Sequence, residues 1–77
     1  MRKALKTLAQ ELDCNSEDEY KDYIIQSYIN GNLTQVKELF KEMRDKDRKD
    51  FLINYLPYTS LRQIDINSIF LACIEQF

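Results

Sequence analysis

Histidine is absent from this 77-residue chain, and glycine and proline occur only once each. Without histidine or a CxxC pair, the chain cannot assemble a familiar zinc site. A cysteine nucleophile would also lack the base that usually activates it. The sequence therefore predicts no bound metal, no cofactor and no enzymatic activity.

Only two cysteines are present, Cys14 and Cys73. The opening residues, MRKALKTLAQELD, have a basic cluster but no uninterrupted apolar run, so they do not predict a signal peptide. No apolar run approaches the roughly 20 residues needed to cross a bilayer. These features predict a cytoplasmic protein without a membrane segment, in which both thiols stay reduced. A disulfide between them remains the alternative, because each lies near one end of the chain.

Charge is close to balanced, with 13 acidic and 11 basic residues. A dedicated nucleic-acid-binding domain usually has a clear basic excess, so this balance disfavours one. The length allows a single domain, residues 1–77.

Hydrophobic residues recur close to every 3.6 positions, and strand-like alternation is absent. The pattern predicts an all-α fold, a compact bundle of five short helices. The first helix should cover residues 2–12. The second should begin at Ser16, with Glu19 completing a capping box, and should run to Asn30. Its apolar arc spans roughly 240°, which is too wide for one neighbouring helix to cover.

The single glycine lies in the tripeptide Asn30-Gly31-Asn32. Gly31 can adopt the left-handed conformation that ends a helix, and Asn32 or Thr34 can cap the next helix. We therefore predict a tight helix–NGN–helix corner.

The third helix should cover residues 33–44. Asp45 or Asp47 should cap the fourth, which should continue to Leu56 and end at Pro57.

The last helix should be capped by Ser60 or Asp65 and should be central, together with the second. Its main apolar stripe comprises Ile66, Ile69, Phe70, Cys73, Ile74 and Phe77. Three further apolar residues lie on a different side, Leu61, Ile64 and Leu71. The helix therefore either kinks near Asp65 or has two apolar faces.

Surplus apolar surface suggests a non-enzymatic protein–protein interaction or regulatory module that self-associates or binds another protein. Tyrosine favours positions with one end buried and the other in water, as at interfaces. The interface candidates are the aromatic residues Tyr20, Tyr23, Tyr28, Tyr55, Tyr58 and Phe77. Packing of the tyrosines at the rim of the core is the alternative.

Two other hypotheses rest on charge. A nucleic-acid-associated regulator would use a basic stripe on helices 3 and 4, comprising Lys37, Lys41, Arg44, Arg48 and Lys49. Aspartates among these residues would repel phosphate. An acidic inhibitor or mimic would use residues 11–22, which hold six carboxylates and one lysine.

Residues 20–56 combine a tyrosine-rich helix, NGN, a lysine/glutamate helix and KDFLINYL. This pattern resembles that of small uncharacterised proteins from gut-type bacteria and their mobile elements. The resemblance implies a bacterial cytoplasmic protein and no particular activity.

Overall fold

Five α-helices follow one another along the described part of the chain, as the hydrophobic spacing predicts. The computed structural model describes residues 3–76, and its α-helices are α1 Leu5–Glu11, α2 Glu17–Ile29, α3 Leu33–Glu42, α4 Asp45–Asp50 and α5 Gln63–Ile74. After α4 come a π-helical turn, Phe51–Tyr55, and a 3-10 turn, Leu56–Tyr58. Within residues 3–76, extended pairing is limited to one bridge between Lys3 and Met43. The prediction of an all-α bundle is confirmed.

The NGN corner has the predicted geometry. Gly31 has φ +78°, and its N–H donates to the carbonyl of Tyr28 at 2.9 Å. The N–H of Asn32 donates to the carbonyl of Ser27 at 2.8 Å, which completes a Schellman motif at the end of α2. The Asn32 side chain then accepts from the N–H of Gln35 at 3.1 Å and so caps α3.

The end of α1 repeats this motif without a glycine. Asp13 has φ +58°, and its N–H donates to the carbonyl of Gln10 at 3.2 Å. The N–H of Cys14 donates to the carbonyl of Ala9 at 2.8 Å. An aspartate tolerates this left-handed position better than most residues, yet it still carries a Cβ penalty that glycine avoids.

We expect opposite effects from substitutions at these two left-handed positions. Gly31→Ala should lower the free energy of unfolding by about 1 kcal/mol, because a Cβ there is strained by φ alone. A Cβ at Gly31 would meet no atom within 4 Å, so clashes do not contribute. Asp13→Gly should raise the free energy of unfolding by about 0.5 kcal/mol, because glycine adopts the left-handed conformation without a Cβ penalty. Urea denaturation of both variants measures the two effects, and changes of the same sign would contradict this account.

Helix starts follow the sequence prediction at α2 but not at α4 or α5. The N–H of Glu19 donates to Ser16 Oγ at 3.3 Å, as predicted. The Glu19 carboxylate accepts from the N–H of Asn15, one residue before the expected partner. The predicted caps of the later helices are wrong, because Arg44 and Arg62 occupy those positions and neither makes a side-chain capping bond.

The displaced aspartates have other roles. Asp45 and Asp47 lie in the first turn of α4, where negative charge complements the helix dipole. Asp65 lies in the first turn of α5 and accepts hydrogen bonds from Arg62 and Tyr28. Ser60 is exposed in the loop before α5.

The helix between α2 and α5 is α3, and it packs against both of them. Its residues Val36 and Phe40 are fully buried, as is Met43 directly after it. Of the two helices expected at the centre, α2 packs against both α1 and α3 and contributes the buried residues Tyr20, Ile24 and Ile25, as expected. The expectation is wrong for α5, which keeps one side outside the core. The buried hydrophobic core comprises Leu5, Leu8, Ala9, Tyr20, Ile24, Ile25, Val36, Phe40, Met43, Phe51, Leu52, Leu56, Ile69 and Cys73.

A cationic side chain, Arg48, lies inside this core with 0% of its surface exposed. Its guanidinium donates to the carbonyl of Phe40 at 3.2 Å, to the carbonyl of Gln76 at 3.2 Å, and to the carbonyl of Lys41. Asp45 lies 3.7 Å from the guanidinium. Positive charge is favourable at the C-terminal end of a helix, and Arg48 lies at the ends of both α3 and α5.

Four consecutive carbonyls at the end of α3 each accept a hydrogen bond from another segment. The Arg48 guanidinium donates to two of them, the carbonyls of Phe40 and Lys41. The Tyr20 hydroxyl donates to the carbonyl of Leu39 at 2.7 Å, and the Lys3 N–H donates to that of Glu42 at 3.2 Å. Since the last carbonyls of a helix have no partner within it, these bonds remove a cost that burial would otherwise impose.

Arg48→Met should therefore lower the free energy of unfolding by about 3 kcal/mol, because it removes the guanidinium donors to the carbonyls of Lys41 and Gln76 and one donor to that of Phe40. Arg44→Met, at an exposed arginine of the same segment, is the matched control and should change it by less than about 0.5 kcal/mol. Urea denaturation followed by circular dichroism compares them. Equal losses in the two variants would rule out this role for Arg48.

Candidate functional site

Apolar residues lie on two sides of α5, and only one side faces the core. Ile69 and Cys73 are fully buried on the inner side. The helix is continuous from Gln63 to Ile74, past Asp65. Of the three residues assigned to a second apolar side, Ile64 and Leu71 lie on such a face of the helix, whereas Leu61 precedes the helix and packs against the core. Phe70 and Ile74, which were expected in the buried stripe, are 38% and 46% exposed.

The second side is the outer face of α5, which we define as Ile64, Asn67, Phe70, Leu71 and Ile74. At 100° per residue these five positions share an arc of roughly 120°, and they extend for about 15 Å along the helix. Ile64 is 65% exposed and Leu71 is 63% exposed. None of the five side chains carries a charge.

The ends of α5 are fixed by polar contacts to other helices. At the start, the Tyr28 hydroxyl donates to Asp65 Oδ1 at 2.9 Å. At the other end, Arg48 binds the carbonyl of Gln76, and Lys37 Nζ lies 3.4 Å from Glu75 Oε2. Because both ends are held, the outer face is presented on a rigid support.

Outside α5, the exposed large apolar residues are scattered. Within residues 3–76 they are Leu12, Tyr23, Ile29, Leu33, Ile53 and Tyr58. Leu12 lies directly after α1, and the other five are distributed over α2, α3 and the two turns after α4, with at most two on any one of them. The outer face of α5 therefore holds more exposed large apolar side chains than any other helix or turn within residues 3–76.

The predicted tyrosines are mostly engaged within the molecule. Tyr20 is 1% exposed, so it belongs to the core and not to a surface site. Tyr23 accepts from Gln35 Nε2 at 2.8 Å. Tyr28 and Tyr55 are half-buried. The Tyr28 hydroxyl donates to Asp65, and the Tyr55 ring stacks on Phe51 with centroids 5.8 Å apart. Packing at the rim of the core therefore describes Tyr28 and Tyr55.

Two aromatic candidates stand apart from that group. Tyr58 is 82% exposed, in the 3-10 turn before the loop that leads to α5. Phe77 lies outside the described residues.

The basic stripe is not assembled as predicted. Arg48 is buried, so it cannot meet a phosphate from outside. Lys37 forms an ion pair with Glu75. Three members remain exposed, Lys41, Arg44 and Lys49. The polar run around Arg48 gave no sequence signal that one of its arginines turns inward.

The lysine of the acidic segment also turns inward. Lys21 is 8% exposed, its Nζ lies 3.1 Å from Asp50 Oδ2, and it lies over the Tyr55 ring at 5.4 Å. Glu11 pairs with Lys3, and Glu19 is used at the start of α2. Asp18 lies 3.9 Å from Lys21 Nζ, so three of the six carboxylates have local structural roles.

Both cysteines are free thiols. Burial raises the pKa of Cys14, and the carboxylates of Glu19 and Asp13 raise it further. Burial raises the pKa of Cys73 to about 12. Each thiol therefore stays protonated at neutral pH and is a poor nucleophile.

The sequence matches no protein-family model, and no similar protein was found among curated proteins or among solved structures. The resemblance to small bacterial proteins stays a prediction. Within residues 3–76, no group of three or more cysteine, aspartate or glutamate side chains could hold a metal ion. No helix in that range is both long and apolar enough to cross a membrane.

The sequence places Ile64 and Leu71 on a separate side of the last helix, but neither is among the predicted interface residues, which are all aromatic. The stronger signal was spacing. Residues 64, 67, 71 and 74 follow each other at intervals of three, four and three, which is the seam of a helix that packs against another helix.

The Tyr28–Asp65 hydrogen bond should make the stability of the fold depend on pH. The hydrogen bond from Tyr28 holds the pKa of Asp65 below its ordinary value, with a further contribution from Arg62. Stability from this bond is present above the ordinary carboxyl pKa and is lost as pH falls through the lowered one. Tyr28→Phe should raise the pKa of Asp65 and reduce the stability lost on acidification.

Carboxyl titration by NMR measures the pKa of Asp65 in wild type and variant. Tyr58→Phe is the control, because the Tyr58 ring is exposed and the side chains that donate to Asp65 are those of Tyr28 and Arg62. An unchanged pKa of Asp65 in Tyr28→Phe would refute the proposed bond.

Proposed function

We propose that this protein is a non-enzymatic protein-interaction module whose contact surface is the outer face of α5. The observation that carries the proposal is the concentration of four exposed large apolar side chains on one helix. Polar contacts to other helices hold that helix at both ends. The free thiols of Cys14 and Cys73 favour a reducing compartment such as the cytoplasm.

The size of the apolar patch supports this assignment. With roughly 200 Å² of surface for a large side chain, the exposed fractions of Ile64, Phe70, Leu71 and Ile74 amount to about 400 Å². The largest apolar patch on a typical monomer is about 300–600 Å² and is often functional. Here such a patch lies on a chain of 77 residues.

The composition of the patch also fits a protein interface. Interface centres are depleted of charge and surrounded by a polar rim. The outer face has no charged residue, and Gln63, Ser68 and Glu75 border it. The charge-based hypotheses gain no comparable support, because Arg48 and Lys21 point inward and Lys37 is paired.

Site-specific photo-crosslinking tests the proposal. A benzophenone amino acid is introduced at Leu71, or at Ile53 as the control, in the cells that produce the protein. The two side chains are equally exposed, at 63%, but Ile53 lies on the π-helical turn. We expect a protein adduct of defined mass from position 71 and none from position 53. Absence of an adduct at 71, or equal adducts from both positions, would overturn the proposal.

The same surface should be dispensable for folding. Leu71→Gln should change the free energy of unfolding by less than about 0.5 kcal/mol, because most of the side chain is already in water. Chemical denaturation at low protein concentration measures this, with Ile69→Gln as the buried comparison on the inner side. A loss at Leu71 as large as that at Ile69 would mean that Leu71 belongs to the core.

A further inference from the structure

We infer that the Asn30–Gly31 peptide is a hydrolytic modification site, and that the folded NGN corner keeps this site closed. In the reaction, the backbone nitrogen of Gly31 attacks the side-chain amide of Asn30, and water then converts that residue to aspartate or isoaspartate. The reaction needs no enzyme. The site shares no residue with the outer face of α5, so it is independent of the proposed function.

The chemistry uses only the chain and water. Once base removes the N–H proton of Gly31, its nitrogen forms a bond to Asn30 Cγ, and the side-chain nitrogen of Asn30 leaves as ammonia. The product is a cyclic imide, a succinimide. Water then opens the ring at either carbonyl. Breaking the bond from nitrogen to Cγ gives aspartate, and breaking the bond from nitrogen to the main-chain carbonyl carbon gives isoaspartate.

Asn30 is the asparagine best placed for this chemistry. Five asparagines occur in the chain, and only Asn30 is followed by glycine. At the other four, a side chain on the following residue crowds the attacking nitrogen. The Asn30 side chain is exposed and has no hydrogen-bond partner among residues 3–76. Side-chain hydrogen bonds engage three of the others, Asn32, Asn54 and Asn67.

The folded corner holds the reacting atoms apart. Asn30 has ψ 1°, so the nitrogen of Gly31 is eclipsed with the backbone nitrogen of Asn30. Because Cα is tetrahedral, Cβ then lies about 120° away around the Cα–C bond. Ring closure instead requires Cβ and the nitrogen of Gly31 on the same side of that bond. The N–H of Gly31 also donates to the carbonyl of Tyr28 at 2.9 Å, which opposes its deprotonation.

Two further hydrogen bonds keep the corner in this conformation. The N–H of Asn32 donates to the carbonyl of Ser27 at 2.8 Å, and the Asn32 side chain accepts from the N–H of Gln35 at 3.1 Å. Segments at the ends of helices open locally with a lower free energy than global unfolding. The fraction of molecules with an open corner therefore sets the rate of conversion.

Conversion should weaken the same corner. A carboxylate at residue 30 adds negative charge at the C-terminal end of α2, where the helix dipole disfavours it. Isoaspartate also inserts Cβ into the main chain, which moves the N–H of Gly31 away from the carbonyl of Tyr28. A converted chain therefore has a weaker connection between α2 and α3 than the original chain.

Peptide mapping by mass spectrometry tests the site and its closure together. The native protein and the protein unfolded in guanidinium chloride are incubated at the same mildly alkaline pH. Each conversion adds about 1 Da, and fragmentation distinguishes residue 30 from residue 32. We expect conversion at residue 30 to be at least about tenfold slower in the native protein, because only the open fraction reacts. In the unfolded chain, Gly31→Ala should slow conversion, because its methyl group crowds the nitrogen.

A matched pair of variants tests whether the corner itself controls the rate. Asn32→Ala removes the side-chain cap of α3, and Ser16→Ala removes that of α2 at the end remote from the corner. Both leave the reacting peptide intact. Relative to its own unfolded rate, Asn32→Ala should speed native conversion roughly fivefold, the equivalent of one lost cap. Ser16→Ala should leave it unchanged, and circular dichroism establishes that both variants are folded.

The modification site is refuted if residue 30 is not converted in the unfolded chain, or if another asparagine there is converted faster. Control by the corner is refuted if native and unfolded proteins react at the same rate. Equal acceleration by Asn32→Ala and Ser16→Ala would also refute it, because the reaction would then require global unfolding.

Discussion

Arg48 brings the ends of two helices to one point inside the core, and the arrangement of the bundle depends on that contact. Its planar guanidinium donates to carbonyls of α3 and to the carbonyl of Gln76 after α5. A lysine could not reproduce this geometry, because its single ammonium lacks the fixed fork of donors. Desolvating a cation is costly, so the core accepts Arg48 only because its donors have partners and Asp45 lies nearby.

The position of α5 follows from this contact. Arg48 holds the helix at its C-terminal end, and Tyr28 holds Asp65 at its start. The inner side is buried against α3, so the opposite side must face outward. The exposure of the apolar outer side is therefore a consequence of where α5 is fixed. This side is the surface on which the proposed interaction depends.

Residue type alone does not separate core positions from surface positions. Tyr20 and Tyr58 are the same residue, yet one is buried against α3 and the other is almost fully exposed. Arg48 and Arg44 differ in the same way. A tyrosine or an arginine has an apolar body and a polar end, so either environment can satisfy it. Which environment a given residue meets is decided by neighbours that are distant along the chain.

By itself, the sequence determined the elements and several of their ends. Periodicity predicted five helices, Ser16 and Asn32 cap the helices that they were expected to cap, and Gly31 forms the corner. These outcomes depend on interactions within a few residues, which local sequence specifies. The tertiary structure alone decided that α3 lies between its neighbours, that Arg48 is buried, and which side of α5 faces water. Those outcomes depend on contacts between residues far apart in the chain, and local spacing can group the residues of a helix face but cannot decide whether that face is buried.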